Sequence, residues 1–263
     1  GTMIKAGLLG WLRFFPLGHA QQPELAVVFL SAGLGASFLG TLVGATQENP
    51  KAVLAYSSIS QMGIITTGLG MGMMAPQAWP ELLTAVLLYV THHGLAKGAL
   101  FLGIGPAQQA QRRWQVWTAR VGLVLPALAL AGAPFTSGAL AKVALKSQVS
   151  VLPETWAAWV GLLLPWAAVG TTVKMARFLW LVWPPAKDER HAAPRGLWPP
   201  WLFSLLAMLG GIWLLPGAVD LAATKLQPQK LWQGSWPLAM GAALALLGSR
   251  LRVLRLPAFP AGD

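Results

Sequence analysis

The sequence has no cysteine, two tyrosines and only 8 acidic residues in 263. Without thiols, disulfide frameworks, thiolate zinc sites and iron–sulfur ligation are excluded, and the redox compartment leaves no mark. Charge of either sign is scarce: 10% of the residues are Asp, Glu, Lys or Arg, against about 25% in a soluble domain. Because 19 of the charged residues are Lys or Arg, the formal net charge is +11. Those basic residues are scattered among apolar runs and form no stripe, which argues against a nucleic-acid-binding module. What the sequence does have is apolar bulk, 55% of its residues at a mean hydropathy of +0.57. Disorder and collagen-like structure are thereby excluded, and a chain bathed in lipid with basic loops is the simplest reading.

Apolar stretches of roughly 18 to 25 residues recur almost end to end, each sufficient to cross a hydrocarbon core of about 30 Å. About eight are expected, near 2–16, 24–46, 51–74, 81–104, 119–150, 155–183, 197–218 and 231–249. The first starts without the n-region or cleavage site of a signal peptide, so the chain is expected to open inside the membrane domain. The fifth is too long for one straight crossing and contains Gly132-Ala133-Pro134 followed by Thr136-Ser137-Gly138. Proline and glycine free backbone groups that lipid cannot satisfy, so the break needs protein or water around it. Gly132, Pro134 and Gly138 therefore mark a discontinuous helix, or two short helices joined by a re-entrant loop; both place the break in the interior. The expected fold is an all-α, polytopic transmembrane helix bundle with one discontinuous helix.

With eight crossings, Lys51, Arg112, Arg113, Arg120, Lys187, Arg190, Arg195, Arg250, Arg252 and Arg255 fall on one side, and Arg13, Lys225 and Lys230 on the other. Ten against three puts the start of the first helix and the C-terminal tail in the cytoplasm. Trp79, Trp183, Trp198, Trp201 and Trp236 lie near expected helix ends, as in an interfacial aromatic belt.

The other six basic residues, Lys5, Lys97, Lys142, Lys146, Lys174 and Arg177, lie within apolar runs. A lysine at a helix centre costs about 2.5–3.5 kcal/mol on insertion scales, so these side chains should face the bundle interior. Lys5 and Arg177 are also close enough to helix ends to snorkel, and Lys146 fits the end of a half-helix. His93 and Lys97 are four residues apart and share a helix face, about 6 Å apart along the axis. A proton can pass between imidazole and amine through one water; a polar packing contact, with His92 turned to a neighbouring helix, is the plainer alternative. All eight carboxylates, Glu24, Glu48, Glu81, Glu154, Asp188, Glu189, Asp220 and Asp263, fall at helix ends or in loops. The intramembrane lysines therefore lack an evident acidic partner within the sequence: either they are neutral much of the time, or another polypeptide supplies the carboxylates. Zinc catalysis, a paired-carboxylate hydrolase and a phosphate-binding Gly-rich loop all lack their residues. No active site, metal site or cofactor is expected.

Asn49 to Gly63, NPKAVLAYSSISQMG, resembles the "DLKRxLAYSTISQMG" signature of antiporter-like subunits, found in respiratory complex I, Mrp-type sodium/proton antiporters and membrane-bound hydrogenases. Two further matches follow in order: His93 to Phe101 is similar to "HAFFKALLF", and Gly132 to Lys142 to "GIPPxxGFxSK". The opening Thr2 to Gly7 with Arg13 resembles the preceding helix of that family, whose lysine lies mid-membrane. The resemblance implies a role in moving protons: Lys5 and Lys97 as central relay residues, His93 as their bridge and Lys142 as the terminal lysine. Lys174, in the poorer match Thr171 to Arg177, takes a looser place in the same pathway. Lys51 and Tyr56 would support the fold.

Asn49 stands where the signature has aspartate, and Tyr89 where some relatives have a second histidine. The resemblance covers residues 1–185, as a half antiporter-like module. Residues 186–263 add two crossings and a basic tail suited to anionic lipid. The match is to the later half of a family member, so the earlier half, with its inverted repeat and buried Glu–Lys pair, would lie elsewhere on a longer chain or in a separate subunit. The expected function is proton translocation, or ion-coupled transport, in a multi-subunit energy-coupling complex of the bacterial inner membrane, with soluble partner subunits. The coupled reaction would be redox chemistry, antiport or inorganic-carbon uptake. The alternative is a non-conducting scaffold whose lysines only pack against partner helices.

Overall fold

The computed structural model describes residues 2–110, 112–183, 195–215, 218–225 and 228–250. Ten α-helices follow in order among them: α1 (Thr2–Phe14), α2 (Pro23–Thr46), α3 (Pro50–Met74), α4 (Trp79–Gln109), α5 (Arg113–Ala131), α6 (Ser137–Lys146), α7 (Glu154–Val182), α8 (Trp198–Gly210), α9 (Ala218–Lys225) and α10 (Pro228–Arg250). No strand occurs among the described residues. The fold is an all-α polytopic helix bundle.

Helix starts follow from local chemistry. Proline occupies the first turn of α2, α3, α4 and α8, where its missing N–H leaves nothing unpaired. Asn49 caps α3, its Oδ1 accepting from the Lys51 amide at 2.9 Å. Asparagine caps as well as aspartate, so this departure from the signature keeps the helix start.

Among the described residues, four helical runs are long and apolar enough to cross a membrane: Pro23–Thr46, Pro76–Gln109, Arg113–Ala131 and Glu154–Val182. Three expectations shift. The first stretch is helical only over the 13 residues of α1. The stretch expected at 197–218 is α8 closed by a 3-10 turn, Gly211–Leu214, and α9 fills the segment read as a loop. Lys187, Asp188, Glu189, Arg190, Arg252, Arg255 and Asp263 lie outside the described residues.

The helix directions follow from their contacts. The Gln22 amide donates to Met73 O at 2.9 Å, so α2 and α3 run antiparallel. Glycines let them touch backbone to backbone: a Cβ on Gly33 would stand 2.7 Å from Gly63 O, and one on Gly40 2.8 Å from Tyr56 O. Small residues are how helices approach closely in lipid. Trp201 Nε1 donates to Ala99 O at 3.0 Å, seating α8 against α4. Trp201 is fully buried and so is no interfacial anchor, because its indole fills the space left by Gly103 and Gly122. α10 runs beside α7 in the same direction, with Trp236 against Trp166 and Gly241 against Val169 and Thr172.

Two large apolar cores and a small third one, of Leu88, Ile212 and Ala218, result among the described residues. One large core joins Leu30, Ile65, Tyr89, Leu145 and Ala167, and the other Leu54, Ala96, Leu130, Met175 and Phe178. On α3, α4 and α7 buried polar residues cluster between the two cores: Ser57, Ser58, Ser60 and Gln61, His92 and His93, and Thr171, Thr172 and Lys174. A polar layer at mid-depth thus separates two apolar ones.

Candidate functional site

The polar layer gathers its residues from helices far apart in sequence. His92 stands about 20 Å along α4 from Trp79 and about 25 Å from Gln109, at 1.5 Å per residue. His92 Nδ1 pairs with Ser137 Oγ at 2.8 Å, which places the start of α6 at that same level. His92 thus turns to a neighbouring helix. His93 is different. Both of its ring nitrogens are buried without a partner among the described residues, and buried polar atoms of this kind are ordinarily met by water.

Lys97, 3% exposed, donates from Nζ to Leu54 O on α3 at 2.9 Å. It stays inside the bundle and does not reach towards either helix end. Lys5 approaches from the other side: its Nζ lies over Gly94, where a Cβ would collide with it. Lys5 and Lys97 therefore flank the turn of α4 that carries His93. Lys5 remains half-buried at this level and does not snorkel.

The break between α5 and α6 can be accounted for atom by atom. Gly132 takes the left-handed φ of 87° that glycine adopts without cost. Its amide donates to Leu128 O and Ala129 O, and the Ala133 amide to Leu128 O, each at 3.0 Å; this is a Schellman closure. The two remaining carbonyls at the end of α5, Leu130 O and Ala131 O, accept from Lys142 Nζ at 2.8 and 2.7 Å. An ammonium thus covers the negative end of α5, and Thr136 Oγ1 caps the start of α6 through the Ala139 amide at 3.3 Å. Pro134 lies within the break, whereas Gly138 belongs to α6, where it passes so close to Ala129 O and His92 that no side chain fits.

Lys174 is completely buried and donates to Thr41 Oγ1 on α2 at 2.9 Å, its stem lying against Gly44. Thr41 in turn reaches Ser60 Oγ at 3.3 Å. One turn away, Tyr89 donates to Gln61 Oε1 at 2.8 Å and Gln61 Nε2 donates to Thr171 Oγ1 at 2.7 Å. Thr41, Gln61, Tyr89 and Thr171 carry no role in the sequence reading; polar side chains inside apolar runs were the signal that could have singled them out. Arg177 bonds from Nε to Gln47 O at 3.1 Å and lies 4.8 Å from the Trp180 ring, at the end of the bundle and outside the lysine layer. Among the described residues no carboxylate pairs with any of these lysines, and no cluster of His, Asp and Glu is arranged to hold a metal.

The family model for the membrane domain of the NADH:quinone oxidoreductase and Mrp antiporters matches residues 1–164. The chain belongs to this family. The matched stretch carries Lys5, His92, His93, Lys97 and Lys142 and ends before Lys174. The chain is 28% identical over 233 residues to a Staphylococcus haemolyticus protein named for antiporter subunit mnhA2, and 28% identical over 236 residues to its Staphylococcus aureus counterpart. Each alignment covers 79% of this chain and 29% of the relative. In the structure of the Mrp complex from Dietzia sp. DQ12-45-1b, one chain superposes with a TM-score of 0.74 at 22% identity, covering 100% of this chain and 31% of that one. This protein thus spans under a third of the length of the antiporter proteins it matches, and the last likeness is one of fold.

Proposed function

We propose that this protein carries part of a proton route in an antiporter-like membrane subunit. Lys142, His93, Lys97, Lys5 and Lys174 form the intramembrane file, with water completing the gaps. The observation that carries this reading is the polar layer itself: four lysines and two imidazoles held between two apolar cores, where uncompensated amines are costly. His93 supports it most, since neither of its nitrogens is used to hold helices together. Residues 1–185 form the conducting module, and the later helices brace it through α4 and α7.

Partner membrane subunits, or a further part of the same polypeptide, supply the acidic groups that this file lacks. Coupling to cation exchange, to redox chemistry or to carbon uptake belongs to those partners. The chain resides in a bacterial cytoplasmic membrane, with the basic ends of α3, α5 and α10 in the cytoplasm.

A second reading, a non-conducting scaffold, is favoured by Lys142, whose two bonds already complete the end of α5. Reconstituting the complete complex in vesicles and replacing Lys97 with Met separates the two. Relay predicts loss of proton flux with normal assembly; a scaffold predicts unchanged flux.

A further inference from the structure

His92 is 3% exposed, and its two ring nitrogens meet different surroundings. Nδ1 pairs with Ser137 Oγ at 2.8 Å, at the start of α6. Nε2 is buried with no hydrogen-bond partner among the described residues, and it lies against the helix break: a Cβ on Gly138 would stand 2.8 Å from it and collide with Ala129 O. The next two carbonyls of α5 after Ala129 O, those of Leu130 and Ala131, hold Lys142 Nζ. Imidazole and ammonium therefore attend the same helix end. A cavity of about 80 Å3 adjoins Lys142 beside Gly132, Pro134 and Tyr89, room for about five waters at about 15 Å3 each.

We infer that His92 itself takes up and releases a proton at the helix break, as the neighbour of Lys142 in the route. The inference rests on the proton-route reading and adds a residue that the file of Lys142, His93, Lys97, Lys5 and Lys174 leaves out. A ring that only clamped α4 to α6 would need one nitrogen, and a second one left dry and unpaired costs about 1–3 kcal/mol; water at Nε2 removes that cost. A neutral imidazole carries one N–H and one lone pair. With the hydrogen on Nδ1 and donated to Ser137 Oγ, the lone pair is on Nε2. A proton leaving the Lys142 ammonium reaches Nε2 through one water, which turns the amine neutral and the ring into imidazolium. The Nδ1 proton then passes to Ser137 Oγ, whose own hydrogen moves on to water, and the ring is neutral again. Only N–H and O–H bonds are made and broken.

The test uses the complete complex in vesicles and compares His92→Asn with Lys97→Met. An asparagine amide can hold Ser137 Oγ as Nδ1 does but takes up no proton, so the clamp is kept and the relay removed. His92→Asn is expected to lower proton flux by about tenfold or more, with normal assembly and with hydrogen exchange at residues 130–140 as in the parent. Flux like the parent's in His92→Asn overturns the inference; the proton-route reading survives if Lys97→Met has lost its flux, and falls as well if Lys97→Met still conducts. Loss of flux together with raised hydrogen exchange marks His92 as a clamp alone and also overturns the inference. The unaltered complex gives a second measurement. With 15N-labelled histidine, magnetisation is expected to pass from water to His92 Nε2, and a ring nitrogen that receives none overturns the inference.

Discussion

Gln61 and Thr171 lie 110 residues apart and meet at 2.7 Å, the amide nitrogen donating to the hydroxyl in the centre of the bundle. With Tyr89 donating to the other end of the same amide, three helices are joined by one side chain. The direction of every bond is fixed: Tyr89 gives to Gln61, Gln61 to Thr171, and Thr171 to Ala167 O at 3.0 Å. An amide does not titrate, so this chain of bonds locks helices together and carries no proton.

The lock is expected to show in stability. Gln61→Leu leaves the buried Tyr89 hydroxyl without its acceptor, a cost of about 1–3 kcal/mol. Adding Tyr89→Phe removes the orphaned group, so the double variant is expected to lose less than the two single losses combined. Thermal unfolding of the four proteins in nanodiscs measures this; additive losses would contradict the lock.

Lys142 is expected to matter to the fold as well as to transport. Lys142→Ala exposes two carbonyls at the end of α5 to an apolar interior, at about 1–3 kcal/mol for each group left unpaired. Lys142→Arg keeps donors at the same place. Hydrogen exchange at residues 130–140 is expected to rise in the alanine variant and to stay near that of the parent in the arginine variant.

At the α2–α3 contact there is no room for a side chain. Gly33→Val would drive a Cβ to 2.7 Å from Gly63 O and the Thr67 amide, neither of which can yield without moving a helix. A loss of at least about 1–3 kcal/mol is expected, read as a lower midpoint of thermal unfolding. Gly35, with open space around it, is the control: Gly35→Ala is expected to leave the midpoint within a few degrees.

The absence of cysteine makes the topology directly measurable. Single cysteines at Lys51 and Arg113 are expected to react with an impermeant maleimide only from the cytoplasmic side, and one at Gln21 only from the opposite side. Labelling of Lys51 and Gln21 from the same side would refute the antiparallel α2–α3 crossing.

Much of this site was legible in the sequence because charge in an apolar run is costly wherever it falls. Lys97, Lys142 and Lys174 announced themselves that way, and Gly132 and Pro134 announced the break. Their partners were not legible. Leu54 O, Thr41 and the α5 carbonyls meet these lysines through helix-to-helix contacts across more than a hundred residues in one case, and no local periodicity encodes such pairings. In lipid the apolar residues face both the core and the acyl chains, so a hydrophobic stripe cannot say which way a helix turns. Trp201 illustrates this: a tryptophan near a helix end suggested the interface, yet Gly103 and Gly122 on two other helices open a buried socket for it.

The central claim is that water meets the buried His93 ring nitrogens and links them to the lysines. A density map of the complete complex, fine enough to resolve ordered water, tests it directly. The account predicts waters within about 3 Å of both His93 ring nitrogens, linked onward to the amines of Lys5 and Lys97. Side-chain carbon packed against both nitrogens, with no water between them and either amine, would contradict it.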